Sequence, residues 1–449
     1  MNYVELINAV LYDLNETTIA ETADGLAATR GIQTTVKEDI NKAIRNINNE
    51  HTQWPYNYDR VKYTLFGGRT EYKFPIKVAV TSVSGAFVIN ERITGGTSSA
   101  IGIIRKIKES FLTIEVVDGT FQSSETLTGA TSAITATSGN IRETTDVDFD
   151  SFFLVPRNLI TKGDFDESFT LTNFWTRRTS NPAGTATTGT PALSNASSGN
   201  NAYAAGVLRL NDGTSDQLIP TVEGEKYRLT VRFASGTNSD SSSTLRVFAG
   251  TSSDKDSDLS EDFTINDVGR GAIKTTTFTA TNQQTYISLS NEASANLDVD
   301  FIQVFQEDLS PRKLDFLTYD EYHSGKITSA SERERSQLAL VNPDSGFGTP
   351  EKVFKPNLAD AFGLSPSPDN DAFELEFDFW TTSEDLTAFG DIPNIPIRFH
   401  DVIVARVRYF VHTLRGNIQA AQLAQRDYEN GVRRMRIELI NQKNYMRAV

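Results

Sequence analysis

Gly85-Ala-Phe-Val-Ile-Asn-Glu91-Arg-Ile-Thr94-Gly95-Gly-Thr97-Ser98 recurs 34 residues later as Gly119-Thr-Phe-Gln-Ser-Ser-Glu125-Thr-Leu-Thr128-Gly129-Ala-Thr131-Ser132. Gly, Phe, Glu, Thr, Gly, Thr and Ser coincide, and strand-like runs from Ala100 to Ile107 and Phe111 to Val117 lie between the copies. Self-similarity at a fixed period marks a repeated supersecondary unit, and a solenoid needs about three or more of them to bury a continuous core. Two copies therefore predict a small pseudo-symmetric all-β unit over residues 78–140.

Downstream, β character continues from about Asn158 to Glu307. Of the 24 residues from Thr179 to Ala202, 16 are Ser, Thr, Asn or Gly, which makes this stretch loop and not core. Short alternating runs predict strands at Tyr203–Leu210, Lys226–Phe233, Thr244–Phe248, Ile273–Thr279, Tyr286–Ser290 and Val299–Phe305. Strands of this kind with long polar connections read as an antiparallel sandwich or jelly roll.

Helical spacing marks both ends of the chain. Val4, Leu6, Ile7, Val10, Leu11 and Leu14 form one stripe. A second helix is predicted from Thr35 to His51, with Thr35 as N-cap, Glu38 at the capping-box spacing, and Val36, Ile40, Ile44 and Ile47 on one face. Trp54-Pro55 stops it, because the residue before a proline disfavours the helical region. Val61, Tyr63 and Leu65 then alternate, Gly67-Gly68 offer a turn, and Tyr72 and Phe74 alternate back, which predicts a β-hairpin. From about Asp401 to Met446 an apolar stripe through Ile403, Val407, Val411, Tyr428, Val432 and Met435 predicts helices, broken at Gly416-Asn417.

Composition removes several functions. The 449 residues carry 43 Lys plus Arg against 58 Asp plus Glu, a net charge of −15, whereas a whole-chain nucleic-acid binder would be basic. Without cysteine, disulfides, thiolate metal sites and cysteine nucleophiles are excluded, and 4 histidines leave few candidates for imidazole chemistry. No Gly-x-Ser-x-Gly elbow, His-Glu-x-x-His helix or Walker loop is present. The start lacks the regions of a signal peptide, and no run approaches the roughly 18 apolar residues of a membrane span. The expectation is a soluble, multidomain, non-enzymatic protein made in a reducing compartment.

Several segments, taken in order, resemble a phage family. They are Val36-Lys-Glu-Asp-Ile-Asn-Lys-Ala-Ile-Arg-Asn-Ile-Asn, Trp54-Pro55, the stretch through Gly67-Gly68, and Asp148-Phe-Asp-Ser-Phe-Phe-Leu. Leu314-Asp-Phe-Leu-Thr-Tyr-Asp-Glu-Tyr322, Phe373-Glu-Leu-Glu-Phe-Asp-Phe-Trp380 and Asp391-Ile-Pro-Asn-Ile-Pro-Ile-Arg-Phe-His400 complete the set. Together they are similar to the head-to-tail adaptor, or tail tubular protein A, of T7-like short-tailed phages. The resemblance implies an α+β multidomain chain: a helical adaptor core over 1–77, 141–156 and 308–449, interrupted by all-β insertions at 78–140 and 157–307. It implies a homo-oligomeric ring, of 12 subunits in that family, that engages the portal protein and the tail nozzle. Tail fibres are a further partner, and DNA crosses the bore without sequence-specific binding. The implied place is the virion tail, after assembly in the host cytoplasm and with no membrane anchor.

The second insertion resembles a carbohydrate-binding-module or galactose-binding-like jelly roll. Asn158-Leu-Ile-Thr-Lys-Gly-Asp-Phe165, Trp175, Gly224-Glu-Lys-Tyr-Arg-Leu-Thr-Val-Arg-Phe233 and Leu297-Asp-Val-Asp300-Phe-Ile-Gln-Val304 carry that likeness. Such domains often hold calcium near their first and last strands. Asp164, Asp166 and Asp300 are the matching positions here, since oxygen donors suit that ion. No cofactor is required. Trp175 and Tyr203 are the aromatics able to stack on a sugar, unless they fill the sandwich core instead.

The net charge hides a split. From Arg398 to Val449 there are nine Arg and one Lys against four carboxylates, while Asn158–Glu307 holds 18 acidic and 11 basic residues. Arg406, Arg408, Arg415, Arg433, Arg434 and Arg436 are candidates for DNA phosphate contact in the bore or for contacts with acidic surfaces of a neighbouring subunit or the portal. A conduit must release DNA, which favours the second. Tyr445, Met446, Arg447, Ala448 and Val449 would dock as an extended tail between portal subunits, as the family's C-termini tend to do. His51, His323, His400 and His412 read as structural. The pairs Glu374/Glu376 and Asp298/Asp300 read as one face of a strand. The expected function is a structural connector; the alternative is a virion glycan-binding protein working through the jelly roll.

Overall fold

The computed structural model describes residues 1–108, 110–130, 132–160, 163, 175–177, 185–187, 193–196, 208–210, 218–233, 244–251, 257–264, 273–291, 297–307, 309–318, 348–356, 360–368 and 372–440. It is β-rich with few helices. Among the described residues of the segments expected to form a helical core, helices stand near the two ends of the chain and two small sheets lie between them.

Five α-helices lie among the described residues: α1 (Tyr3–Asp13), α2 (Ala23–Ala27), α3 (Ile32–Asn49), α4 (His400–Leu414) and α5 (Ile418–Leu439). α1 opens with a capping box, in which Asn2 accepts from the Glu5 N–H and Glu5 accepts from the Asn2 N–H. α3 begins a turn earlier than the predicted Thr35. Gly31 is its N-cap and makes no side-chain cap bond, and the added turn brings Ile32 onto the helical cluster. α4 and α5 are separated where predicted: Gly416 takes a φ of 71°, and the Asn417 side chain accepts from the Ala420 N–H. Val4, Ile7 and Val10 of α1, Ile40 and Ile44 of α3, and Ile403 and Val407 of α4 are fully buried in one cluster. Each such side chain contributes about 1.5–3 kcal/mol of burial.

The predicted hairpin does not form. Tyr58–Thr64 pairs with Phe373–Thr381, in a five-stranded sheet that also holds Thr144–Val147, Phe153–Pro156 and Arg312–Lys313. Glu71–Lys73 pairs instead with Ala361–Ser365, in a four-stranded sheet with Lys352–Phe354 and Asp315–Leu317. The Gly67-Gly68 turn therefore passes the chain from one sheet to another. Tyr63, Tyr72, Phe152, Phe362 and Phe377 pack between the sheets, with the Phe152 and Phe377 rings stacked at 4.7 Å. Alternation located both strands; long-range aromatic packing chose their partners.

The repeat builds a closed six-stranded barrel. Its strands are Pro75–Thr81, Arg92–Gly95, Ile101–Lys108, Phe111–Asp118, Thr126–Gly129 and Thr135–Arg142, so it begins and ends slightly outside 78–140. Phe87 and Phe121, equivalent in the repeat, both enter its core. Glu91, 4% exposed, accepts from the Val88 N–H at 2.6 Å and from the Ser132 N–H and hydroxyl at 3.0 Å. Glu125, 2% exposed, accepts from the Gln122 N–H at 2.7 Å, the Ser98 N–H at 2.9 Å and hydroxyl at 2.8 Å, and the Thr97 N–H at 3.2 Å. Each copy's carboxylate thus clasps the other copy's turn. A Cβ on Gly95 or Gly129 would lie 2.6 Å from the Glu125 or Glu91 carboxylate, which is why glycine recurs there.

Charged groups join this barrel to the sheets. Arg105 and Glu115, both fully buried, pair at 2.6 Å, and Arg69 reaches the same carboxylate from outside the barrel. Arg105 also lies 4.8 Å over the Tyr63 ring. Lys106 donates to the Arg60 carbonyl at 2.9 Å and to Asp59 at 2.6 Å, so a barrel strand covers the otherwise open edge of Tyr58–Thr64.

The second β block is a sandwich of two antiparallel sheets. One contains Trp175–Arg177, Leu208–Leu210, Gln284–Asn291, Thr244–Gly250 and Leu259–Thr264, with Ile219–Pro220 beside Gln284–Asn291. The other contains Thr185–Thr187, Leu193–Ala196, Leu297–Gln306, Lys226–Phe233 and Ile273–Thr279. Leu229, Val231, Val247, Ile302 and Val304 fill the space between them.

Candidate functional site

Helix α5 has two unlike faces. Ala421, Ala424, Tyr428, Val432 and Met435 are buried. On the opposite side, Leu423, Arg426, Asn430, Arg433 and Ile437 follow one another at steps of three and four residues, and all are exposed. Leu423 is 55% and Ile437 56% exposed. Neither Arg426 nor Arg433 has an ion-pair or hydrogen-bond partner among the described residues. Further exposed apolar side chains stand at the two ends of α4: Leu414 and Ile418 at the turn into α5, and Phe389, Ile392 and Ile397 before its start.

The other basic candidates are engaged within the chain. Arg406 lies over the rings of Tyr428, Phe410 and Tyr409 at 4.5, 4.9 and 5.1 Å and donates to Gln425 at 2.7 Å. Arg408 pairs with Asp13 at 3.4 Å, and Arg415 with Glu16, tying α4 to the end of α1. Arg434 pairs with Glu438 at 3.4 Å and donates to the Arg398 carbonyl at 3.1 Å. Arg436 binds Glu50 at 3.0 Å, at the end of α3. These arginines flank the buried stripe, so their stems lie on apolar surface and their heads meet groups on neighbouring helices. Of the six named from sequence, Arg433 is the one directed outward without a described partner. Arg426, which shares its face, was missed. The signal that finds it is helical spacing read on the polar side of α5.

Other candidates group differently. Burial pushes the pKa of His51, His400 and His412 below the ordinary imidazole value, helped by Arg436 at His51 and by Arg408 and Arg415 at His412. His400 is fully buried, with Nε2 2.9 Å from the Ile395 carbonyl oxygen. Glu376 and Asp378 face Arg60 across paired strands at 3.0 and 2.6 Å, a ladder that also takes in Lys62. Glu374, next along that face, has its carboxyl pushed above the usual range by burial. A cleft of about 360 Å³ between α3, the barrel and Thr381–Asp385 is lined by groups that pair with one another. Arg45 meets Asp385 at 2.8 Å, and Asn140 meets Glu384 at 3.1 Å.

Asp300 is ion-paired with Arg232 at 3.1 Å, so a positive charge already stands beside the carboxylate considered for calcium. Among the described residues no group of three or more His, Asp or Glu side chains is placed to hold a metal. Trp175 lies on a strand paired with Leu208–Leu210. Its side chain, Asp164, Asp166, Tyr203, His323 and Tyr445–Val449 fall outside the described residues. No described helix is long and apolar enough to cross a membrane.

Comparisons with known proteins found likenesses to solved structures and one family match. Among solved structures the chain is similar to a family 35 carbohydrate-binding module from Clostridium thermocellum, at 17% identity over 30% of this chain and 88% of that one, with a TM-score of 0.19. It is similar to BiXyn10A CBM1 at 11% identity over 32% of this chain and 99% of that one, with a TM-score of 0.23. It is also similar to the enzymatically active domain of tailspike protein 4 from bacteriophage CBA120, at 12% identity over 33% of this chain but only 21% of that one, with a TM-score of 0.26. No curated protein matches the sequence. The family model described as SU10 adaptor protein matches residues 260–449, the part of the chain that contains α4, α5 and the outward stripe.

Proposed function

We propose that this chain is a structural, non-enzymatic adaptor subunit of a phage tail, of the T7-like short-tailed kind. The observation that carries this reading is the match of residues 260–449 to the SU10 adaptor family. The exposed stripe and apolar groups of the α4–α5 hairpin support it, because they lie in that matched segment and face away from the chain's own core. In this reading the subunits form a ring, of 12 copies by family resemblance, with the portal on one side and the tail nozzle on the other. DNA crosses the bore, and the β insertions face outward, where tail fibres attach. The C-terminal Tyr445–Val449 docks onto the portal. Assembly takes place in the host cytoplasm and needs no cofactor; calcium in the sandwich is an accessory. Negative-stain images of the purified chain, alone and with portal, test the reading. Rings in the presence of portal support it; a persistent monomer in both conditions sinks it.

A second reading, glycan binding by the sandwich, is favoured by one observation. Cross-strand pairing sets Arg228 beside Phe305, Thr230 beside Gln303, and Arg232 beside Phe301 on the outward side of one sheet. Rings flanked by guanidinium, amide and hydroxyl groups suit a sugar's faces and edges. Absence of binding by the full chain on a glycan array removes this reading and leaves the first intact.

A further inference from the structure

We infer that the outward face of the sheet formed by Ile273–Thr279, Lys226–Phe233 and Leu297–Gln306 takes a saccharide that carries a carboxylate, with Arg228 as its anchor. The inference rests on the glycan-binding reading and adds to it the charge class of the ligand.

Alternation sorts this sheet into two sides. Leu229, Val231, Ile302 and Val304 point into the sandwich and are fully buried, so Arg228, Thr230 and Arg232 of the central strand point out. Register places Arg228 between Thr277 and Phe305, and Arg232 between Ile273 and Phe301. Between these rows the Thr230 hydroxyl meets that of Thr275 at 3.3 Å, with Gln303 on its other side. The face is open: Arg228 and Thr277 are exposed, and Ile273 is 59% exposed. Phe301 and Phe305 lie four residues apart on one strand, about 13 Å at about 3.3 Å per residue, which is the reach of a short sugar chain.

Charge on this face is arranged differently from the rest of the sandwich. Arg246, on the other sheet, meets Asp262 across strands at 2.8 Å, and Arg232 meets Asp300 at 3.1 Å. Arg228 has no ion-pair, hydrogen-bond or ring partner among the described residues, although Asn158–Glu307 holds 18 acidic residues against 11 basic ones. The rows from Arg228 to Arg232 contain no carboxylate. Asp300 and Glu307 stand beyond them, Glu307 at the end where its N–H donates to the Lys226 carbonyl.

An unanswered guanidinium beside a ring decides the class of sugar. The C–H faces of a pyranose pack on rings such as Phe305, and its hydroxyls find the Gln303 amide and the threonine hydroxyls. A neutral sugar seated there takes Arg228 out of water and offers no counter-charge, which costs free energy. A carboxylate presents two oxygens in one plane, which the guanidinium fork matches, so the same desolvation is compensated. Duplex DNA, the other polyanion at hand, carries a charge every ~1.7 Å and is repelled by the acidic block around the face. A sugar chain with one carboxylate per repeat meets far less of that repulsion.

The test puts the full-length chain on an array of uronic- and sialic-acid oligosaccharides, their methyl esters and neutral sugars of the same linkages, with heparin fragments and duplex DNA as further arms. The expected result is binding to acidic sugars over their esters, reduced about tenfold or more by Arg228→Gln, the weight of one charge-assisted pair, and partly kept by Arg228→Lys. Thermal melting is expected to be unchanged in both variants. Equal binding of acids and esters, untouched by Arg228→Gln, overturns the inference and leaves glycan binding standing. An acid preference that survives Arg228→Gln places the anchor elsewhere and overturns the assignment. Preference for heparin or DNA over every carboxylated sugar overturns it as well, since the anion recognised is then sulfate or phosphate. Binding to no sugar of either charge overturns both the inference and the reading beneath it.

Discussion

The barrel and the α4–α5 hairpin treat charge in opposite ways. In the barrel, Glu91, Glu115 and Glu125 are nearly or fully buried, and each is met from within the chain: Glu115 by Arg105 and Arg69, Glu91 and Glu125 by N–H and hydroxyl groups of the facing repeat. In the hairpin, the arginines beside the buried stripe are likewise engaged, yet Arg426 and Arg433 extend into solvent at a helical interval. The difference separates two meanings of a charged residue. A charge answered inside the chain reports architecture, while an unanswered one that repeats along a helix reports a surface awaiting a partner. Net charge alone distinguishes neither, since the sums over both segments hide how each group is used.

The largest expected effect tests the buried side of this contrast. Glu115→Ala removes the one carboxylate shared by Arg105 and Arg69 and leaves the wholly buried Arg105 without its counter-charge. Breaking a buried pair in this way costs about 3–5 kcal/mol. Urea unfolding of the full chain is expected to show a loss of that size; a loss below about 1 kcal/mol, the range of exposed pairs, would erase the distinction between the two regions.

A smaller effect is expected from the clasps. Glu125→Gln keeps the shape but exchanges a charged acceptor for a neutral one and turns an oxygen into a donor facing donors, at about 1.5–3 kcal/mol. Gly95→Ala approaches the same carboxylate with a methyl group and is expected to destabilise the barrel as well. Acid sharpens this. Burial pushes the Glu125 carboxyl upward, but the hydrogen bonds from Gln122, Ser98 and Thr97 outweigh it and hold the pKa below the ordinary 4.5. A group whose folded pKa is depressed contributes stability above its unfolded value and loses it as pH falls through the folded one. Barrel stability is therefore expected to drop below pH 4.5 in the wild type, and the Glu125→Gln variant to lose this part of the slope. An identical acid profile for the two proteins counts against the clasp.

Much of this was legible in the sequence, for physical reasons that differ from part to part. The repeat announced a pseudo-symmetric β unit because each copy needs the same glycine, glutamate and Thr-Ser turn to complete the other. Strands Lys226–Phe233 and Ile273–Thr279 were readable to the residue, since alternation is a local property. Partners were not. The pairing of Tyr58–Thr64 with Phe373–Thr381 depends on aromatic packing across more than 300 residues, and no local pattern encodes it. The start of α3 was misplaced because a capping-box spacing at Thr35 competes with one more turn that buries Ile32, and packing prevailed. At the site, counting arginines found Arg433 among five that the fold uses internally, and overlooked Arg426. Burial of the opposite face of α5 is what sorts them.

The smallest expected effect on folding is the largest on assembly. Leu423 and Ile437 are more than half exposed, so replacing both with serine removes little burial within the chain. Stability is expected to stay within about 0.5 kcal/mol, as for surface positions remote from caps and pairs. In the adaptor reading proposed above, association is expected to fall, because an assembly contact at the stripe would desolvate its two apolar ends. Salt separates their share from that of the arginines. Charge pairs at a partly wet seam weaken as the Debye length shrinks from about 10 Å at 0.1 M to about 3 Å at 1 M, whereas apolar burial does not. If the stripe works as a unit, the serine variant assembles weakly at low salt and not at all at high salt, while the wild type survives both. Sedimentation velocity across that range reads the difference. Equal assembly of the two proteins at every salt concentration would mean that α5 keeps its outward residues for some other purpose, and the contrast with the barrel would then reduce to one of burial alone.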